Sequence, residues 1–306
     1  MKRFIFIFLI LISVLLLCAC GTVKNSNDYP NNDEAYYWRV ETQSQYPFGI
    51  GGSISGVAAN GNRIFVCGER NGKAELTLMD YLIDDYGCNI TDSNKIDLPE
   101  ESRAINVSYG ANHFYLLLGS SNSDSNDEIY VVNIYTSEGT LSASLPVTID
   151  NGDSAKSLLI LPDGSFWLRG LHNIRHYSID GSETESFSED SKDIGPVIQI
   201  SGDAIFQTTD YQNRKSKLNK FDADNHKLIP VESDYVLSAP SAICQSAIDM
   251  PLISMGNSLV AINEDYETTQ IADWNELMGT TTLYRYICQL NEDTFLLVPH
   301  NIDEIY

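Results

Sequence analysis

The chain has 306 residues, 43% apolar and 20% charged, enough for one large domain or two ordinary ones. Lys and Arg number 19 against 42 Asp and Glu, a net charge of −23. Such a surface repels phosphate backbones and anionic headgroups, which excludes nucleic-acid binding and a polybasic membrane patch. Ten prolines and 20 glycines are ordinary counts, so neither a fibrous repeat nor global disorder is expected.

Residues 1–19 read as a lipoprotein signal peptide. Lys2 and Arg3 form a basic start, and Phe4–Leu17 is an apolar run broken only by Ser13. The run is short of the roughly 20 residues a membrane helix needs, but it suits a secretory leader. It ends in Leu17-Cys18-Ala19-Cys20-Gly21, which resembles the bacterial lipobox, so Cys20 is expected to be acylated on sulfur and to begin the mature chain. Loss of Lys2 and Arg3 leaves 17 basic against 42 acidic residues, or −25. Residues 20–35, the lipidated Cys followed by Asn-, Asp- and Ser-rich sequence, read as a flexible tether. It would hold the folded part ~20 Å from the membrane. The expected location is the extracytoplasmic face of the cell membrane, anchored by lipid on Cys20.

Four cysteines remain, Cys67, Cys88, Cys244 and Cys288. An even count in an exported chain allows two disulfides. Each lies in or beside an apolar strand-like run, and buried free thiols are the preferred reading. The sequons at Asn89 and Asn106 carry little weight beside a bacterial lipobox.

From residue 36 to 306 the chain reads as all-β. Short runs of Val, Ile, Leu, Phe and Tyr alternate with Gly, Asn, Asp and Ser clusters. Turn-plus-strand units carry the anchors Ile64, Phe114, Phe166, Ile205, Leu252 and Phe295, spaced 50, 52, 39, 47 and 43, and read as six inner strands. Strands ending in acidic turns carry Ile134, Tyr177, Phe221 and Ile262, spaced 43, 44 and 41. The tripeptide Ile-Cys-Gln recurs at 243–245 and 287–289. A four-stranded antiparallel sheet of about 45 residues has two apolar faces and buries both only by stacking against copies of itself around an axis. The expected fold is therefore a β-propeller of about six four-stranded blades. Its last blade is either incomplete or closed by the N-terminal strand around Ala35–Gln43, paired with Asp303–Tyr306.

Leu161–Gly181, with an Asp-Gly turn, an aromatic strand and a Tyr-x-x-Asp-Gly hairpin, loosely resembles the repeat of propellers attached to bacterial sensor proteins. The order of lipobox, tether, short strand, Ile54–Gly68 and acidic hairpins resembles the N-terminal propeller region of extracellular solute-binding lipoproteins of anaerobic Gram-positive bacteria. In that family an α/β binding domain follows a strand like Asp303-Glu304-Ile305-Tyr306. The resemblance thus implies a chain that stops short of the transport ligand site, and it carries over one site residue, Cys20. The implied role is a non-catalytic module that recognises a sugar, a peptide or components of an ABC-type importer.

Candidate chemistry is sparse. His113, His172, His176, His226 and His300 read as surface loop residues, with His172 and His176 flanking a turn; no Cys/His spacing indicates a metal site, and no cofactor is expected. Gly52-Ser53-Ile54-Ser55-Gly56 has Ile where a hydrolase motif needs Ser, and Gly49–Gly52 reads as the start of the first blade. Asn122, Asp124 and Asn126 alternate as Ca²⁺ ligands can, without the Gly and terminal Glu of an EF-hand loop. With 42 acids no carboxylate pair stands out. No catalytic residue is assigned, and a surface glycosidase or lyase is the alternative, to be recognised by carboxylates and aromatics converging in a central channel. Replacing Cys20 with Ser is expected to abolish incorporation of labelled palmitate and to release the chain from the membrane fraction, and retained lipid would refute the lipobox reading.

Overall fold

The computed structural model describes residues 19–23, 36–40, 53–61, 63–84, 87–121, 128–150, 152–188, 193–210, 215–231, 240–245, 251–255, 258–273, 284–291 and 294–299. Five four-stranded antiparallel sheets follow one another along the chain. The first comprises β3 (Ser53–Asn60), β4 (Arg63–Arg70), β5 (Lys73–Asp84) and β6 (Gly87–Ile96). The second comprises β7 (Ser102–Gly110), β8 (His113–Ser121), β9 (Glu128–Tyr135) and β10 (Leu141–Val147). The third holds β11 (Ser157–Ile160), β12 (Phe166–Arg169), β13 (Asn173–Tyr177) and β14 (Glu183–Ser188), and the fourth holds β15 (Asp193–Ile200), β16 (Asp203–Asp210), β17 (Lys215–Asp222) and β18 (Lys227–Pro230). The fifth holds β19 (Pro240–Gln245), β20 (Pro251–Met255), β21 (Ser258–Ile262) and β22 (Thr268–Asp273), and a two-stranded sheet of β23 (Tyr284–Asn291) and β24 (Thr294–Pro299) ends the described chain.

The first strands β3, β7, β11, β15, β19 and β23 neighbour one another in that order, and β23 returns to β3. The ring is a β-propeller. Where six four-stranded blades were expected, the described residues form five, with a two-stranded sheet in the sixth place. The anchors expected on inner strands, Ile64 to Phe295, instead lie on the second strand of each unit; Ile134, Tyr177, Phe221 and Ile262 lie on third strands, and the two Ile-Cys-Gln tripeptides on first strands. Each register marks one position in the blade, which is why the three share one period.

Second strands are apolar without alternation because a blade is covered on both faces. In β4, Ile64 and Val66 pack toward the sixth unit with Cys288 and Leu290, while Phe65 and Cys67 pack toward the second blade with Phe114 and Leu116. Phe65 and Phe114 stack with ring centroids 3.8 Å apart. Tyr115, Tyr130, Phe166 and Tyr177 fill the next seam, Trp167 meets Phe206 edge-on at 5.2 Å in the one after, and Ile198, Ile205, Ile253 and Ile262 fill the seam beyond. At the hairpins, Gly164 and Gly181 take φ of +86° and +84°, a backbone that L side chains rarely adopt. Asp163 accepts the Ser165 amide at 3.0 Å and Asp180 that of Ser182 at 3.0 Å.

The N-terminal segment departs from expectation. Tyr36–Val40 (β2) pairs antiparallel with Ala19–Val23 (β1), with Cys20 opposite Arg39, so Cys20–Val23 of the expected tether is extended strand. The first described strand of the first blade starts at Ser53. Residues 303–306, the expected partner of 35–43, lie outside the described residues. Among the described residues the ring closes where β23 lies beside β3: Tyr286 donates to Ile54 O at 3.3 Å, and the Tyr81 hydroxyl reaches Leu290 O at 2.7 Å as well as Gly61 O. No helix among the described residues is long and apolar enough to cross a membrane.

Tyr81→Phe removes the hydroxyl that reaches the buried Leu290 carbonyl, a loss of about 1–3 kcal/mol that lowers the melting temperature by roughly 2–4 °C per kcal/mol. Tyr286→Phe, which loses a longer bond, is expected to cost less. Equal effects in thermal denaturation would mean that the Tyr81 bond does not hold the seam.

Candidate functional site

The first strands wall a central channel with a cavity of about 1160 Å³. Adjacent first strands are not paired as sheet, so their inner backbone edges must be satisfied otherwise. Side chains do part of this. Ser55 Oγ donates to Ala104 O at 2.7 Å across the first seam. At the next, Asn106 Oδ1 accepts the Leu158 amide at 3.1 Å, and Ser108 Oγ lies 3.1 Å from Leu158 O. The sequon residue Asn106 is thus a seam residue. Close approach also requires small residues: a Cβ on Gly56 would stand 2.6 Å from Val107 N, and one on Gly110 would stand 2.6 Å from Ile160 Cβ.

The wall is chiefly Ser, Ala, Val, Ile and Leu, with Gln199, Tyr286 and Gln289 added. Among the described lining residues Glu69 is the one carboxylate, and none is a histidine. The basic lining residues are Arg103, Lys156 and Arg169. In a chain with more than twice as many acids as bases this reverses the overall balance. All three bases lie at the end of the channel where the first strands begin: Arg103 is the second residue of β7, Lys156 precedes β11, and Arg169 ends β12 opposite Ser157.

Arg103 is ion-paired with Glu128 at 2.5 Å. Arg169 is held differently. Its Nε donates to Ser157 Oγ at 2.9 Å and its Nη1 to Ile194 O at 2.7 Å, tying the third blade to the fourth. Burial pulls its pKa down to about 10, against the opposing charge of Asp153. It remains protonated at neutral pH. The Asp153 oxygens accept the backbone amides of Leu171 and His172 at 2.8 Å each and that of Asn173 at 3.2 Å, so this carboxylate organises the loop between β12 and β13.

The loop places His172 at the same mouth, 3.6 Å from Asp193. His176 does not flank a turn as expected. It lies within β13, half-buried beside Trp167 and between Thr184 and Ser165, and burial lowers its pKa. His113 begins β8 and His226 sits in the β17–β18 turn, whereas His300 lies outside the described residues. Asn122, Asp124 and Asn126 also lie outside them, as does Gly49–Gly52. Among the described residues no three His, Cys, Asp or Glu side chains come together as a metal site. Cys67 is a free thiol, Cys67 and Cys288 are both buried, and burial pushes the Cys67 thiol up to about 12, so its thiolate is negligible at neutral pH. The side chains of Cys88 and Cys244 lie outside the described residues.

Sequence reasoning missed Asp153, Lys156 and Arg169. The signal was faint: bases are scarce in this chain, yet no spacing marks which of them turn inward.

No protein-family model matches the chain, and no curated protein matches it. Solved structures similar to it include virginiamycin B lyase from Staphylococcus aureus, with 11% identity over 84% of this chain and 80% of that one and a TM-score of 0.53. A glucose dehydrogenase is similar at 9% identity over 84% and 95%, with a TM-score of 0.54. A protein of unknown function from Bacteroides caccae is similar at 10% over 83% and 90%, with a TM-score of 0.51. At these identities the likeness establishes the propeller fold alone.

Asp153→Ala is expected to free the amides of Leu171, His172 and Asn173 and to speed their hydrogen exchange, at a cost above about 2 kcal/mol in denaturant unfolding. Asp153→Asn, which keeps one acceptor oxygen, should fall between the two. Unchanged exchange at these three amides would mean that Asp153 does not organise the mouth.

Proposed function

We propose that the chain is a membrane-anchored, extracytoplasmic β-propeller that recognises a ligand or protein without transforming it, as an accessory to ABC-type solute uptake. The observation that carries the recognition half is the channel wall: small and apolar side chains, three bases at one mouth and a single described carboxylate. Glycoside hydrolysis needs two carboxylates flanking the scissile bond, and the described wall offers one. The anchoring half is supported by the Leu17–Gly21 motif and the leader before it. The uptake context rests on the resemblance to solute-binding lipoproteins. Sugars, peptides and importer components are the candidate partners.

A second reading is a surface lyase, favoured by the His172–Asp193 pair beside Arg169. A histidine oriented by a carboxylate is a competent general base, and an arginine next to it would stabilise the negative charge that proton abstraction creates.

Titrating the mature chain with panels of oligosaccharides and peptides, and following the same mixtures by mass spectrometry, separates the two. Recognition predicts saturable binding of at least one panel member and unchanged ligand masses. Product formation that disappears in His172→Ala would overturn the recognition reading in favour of the lyase.

A further inference from the structure

We infer that the channel mouth where the first strands begin binds an oxyanion, the carboxylate or phosphate group of a solute, between Arg169 and Lys156. This rests on the recognition reading and names the chemistry of its ligand.

The first support is the state of the Arg169 guanidinium. Such a group has five N–H donors in a fixed plane. Two are used, by Ser157 Oγ and Ile194 O, and both bonds are to uncharged oxygens. The remaining three, including both on Nη2, have no partner among the described residues. Arg63, Arg103 and Arg175 show what this chain does with other arginines: each lies against a carboxylate, of Asp80, Glu128, and Asp150 with Glu183 respectively. Arg169 makes no such ion pair among the described residues, although it is set into the wall.

The second support is what surrounds it. A charge withdrawn from water is costly unless paired, and the carboxylate nearest at hand, Asp153, is committed to the amides of Leu171, His172 and Asn173. It supports the arginine's charge from a distance without occupying its donors. Lys156 supplies a second positive charge to the lining of the same cavity. Its amide donates to Arg169 O at 2.8 Å, its side chain is exposed and lines the same cavity, and it has no ion-pair partner among the described residues. The Ser157 hydroxyl, which accepts from Arg169 Nε at 2.9 Å, lines the cavity beside it. The three remaining guanidinium donors suit an acceptor with two oxygens on one centre, as in a carboxylate or phosphate. A protein of charge −23 repels anions over most of its surface. At this mouth Glu69, Glu128 and Asp153 also stand, but Glu128 is taken by Arg103 and Asp153 by the loop amides, while Arg169 and Lys156 make no ion pair among the described residues and are the positive charges an anion would meet.

The test follows the backbone amide resonances of Lys156, Ser157 and Leu171 in the isotopically labelled mature chain. The probes are inorganic phosphate, acetate, chloride at matched ionic strength, and glucose as a neutral solute. Expected is saturable movement with phosphate, acetate or both and none with chloride; which of the two binds more tightly distinguishes a phosphate ligand from a carboxylate ligand. Lys156→Gln should weaken binding about threefold or more and Arg169→Gln about tenfold or more, as removal of a charge-assisted contact does. Arg169 also joins two blades, so if Arg169→Gln does not fold, Lys156→Gln and the charge reversal Lys156→Glu decide. The assignment is overturned if neither anion moves these resonances beyond chloride, or if the Lys156 variants bind as the parent does. Glucose binding that is undiminished in Lys156→Gln, with both anions inert, would overturn the anion assignment and leave the recognition reading standing.

Discussion

The structure depends on the way the first strands of neighbouring blades meet around the axis. Each is hydrogen-bonded to its own sheet on one side and faces the next blade, rather than a pairing strand, on the other. A row of unpaired backbone groups at close quarters would be a liability. Here they are answered in part by short polar side chains, Ser55 to Ala104 and Asn106 to Leu158, and by the reach of Arg169 to Ile194. The same constraint sets the residue sizes: Gly56 and Gly110 leave no room for a side chain where backbones converge. Closure between the last unit and the first uses longer reach, with tyrosine hydroxyls spanning to the carbonyls of Leu290 and Ile54.

That constraint also determines what the channel can be. Strands that must approach closely carry Ser, Ala, Gly and Val inward, so the wall is smooth and nearly uncharged along its length. The charged residues among the described lining, Glu69, Arg103, Lys156 and Arg169, stand at the end where the first strands begin. At the end where the first strands begin, Asp153 gathers three consecutive loop amides and Arg169 braces the third blade against the fourth. The structural and the cavity-lining parts of this mouth share residues: Arg169 spends two donors on the fold and also lines the cavity.

Apolar packing then divides the work between the two faces of each blade. Successive residues of β4 belong to different seams, Ile64 and Val66 to one and Phe65 and Cys67 to the other. A substitution on a second strand therefore acts on one seam at a time, while the hydrogen-bonded ladder inside the blade is preserved.

Read by itself, the sequence determined the all-β class, the period near 45 and the hairpin positions, because second and third strands are buried on both faces and end in Asp-Gly or similar turns. Ile64, Phe114 and Phe166 could be aligned without a structure, since a strand covered on both sides must be a continuous apolar run. The first strands of the first two blades were not legible in this way, in contrast to the Ile-Cys-Gln strands β19 and β23: Ser53–Asn60 and Ser102–Gly110 carry small and polar residues chosen by contact with the next blade, and local pattern carries no trace of that contact. The number of complete blades and the pairing of Tyr36–Val40 with Ala19–Val23 were decided by which edges meet in space. Tertiary structure alone also brought Asp153, Lys156 and Arg169 to one mouth, since they come from a blade connection, the approach to a first strand and the end of a second, and only closure of the ring turns those three places toward a common axis.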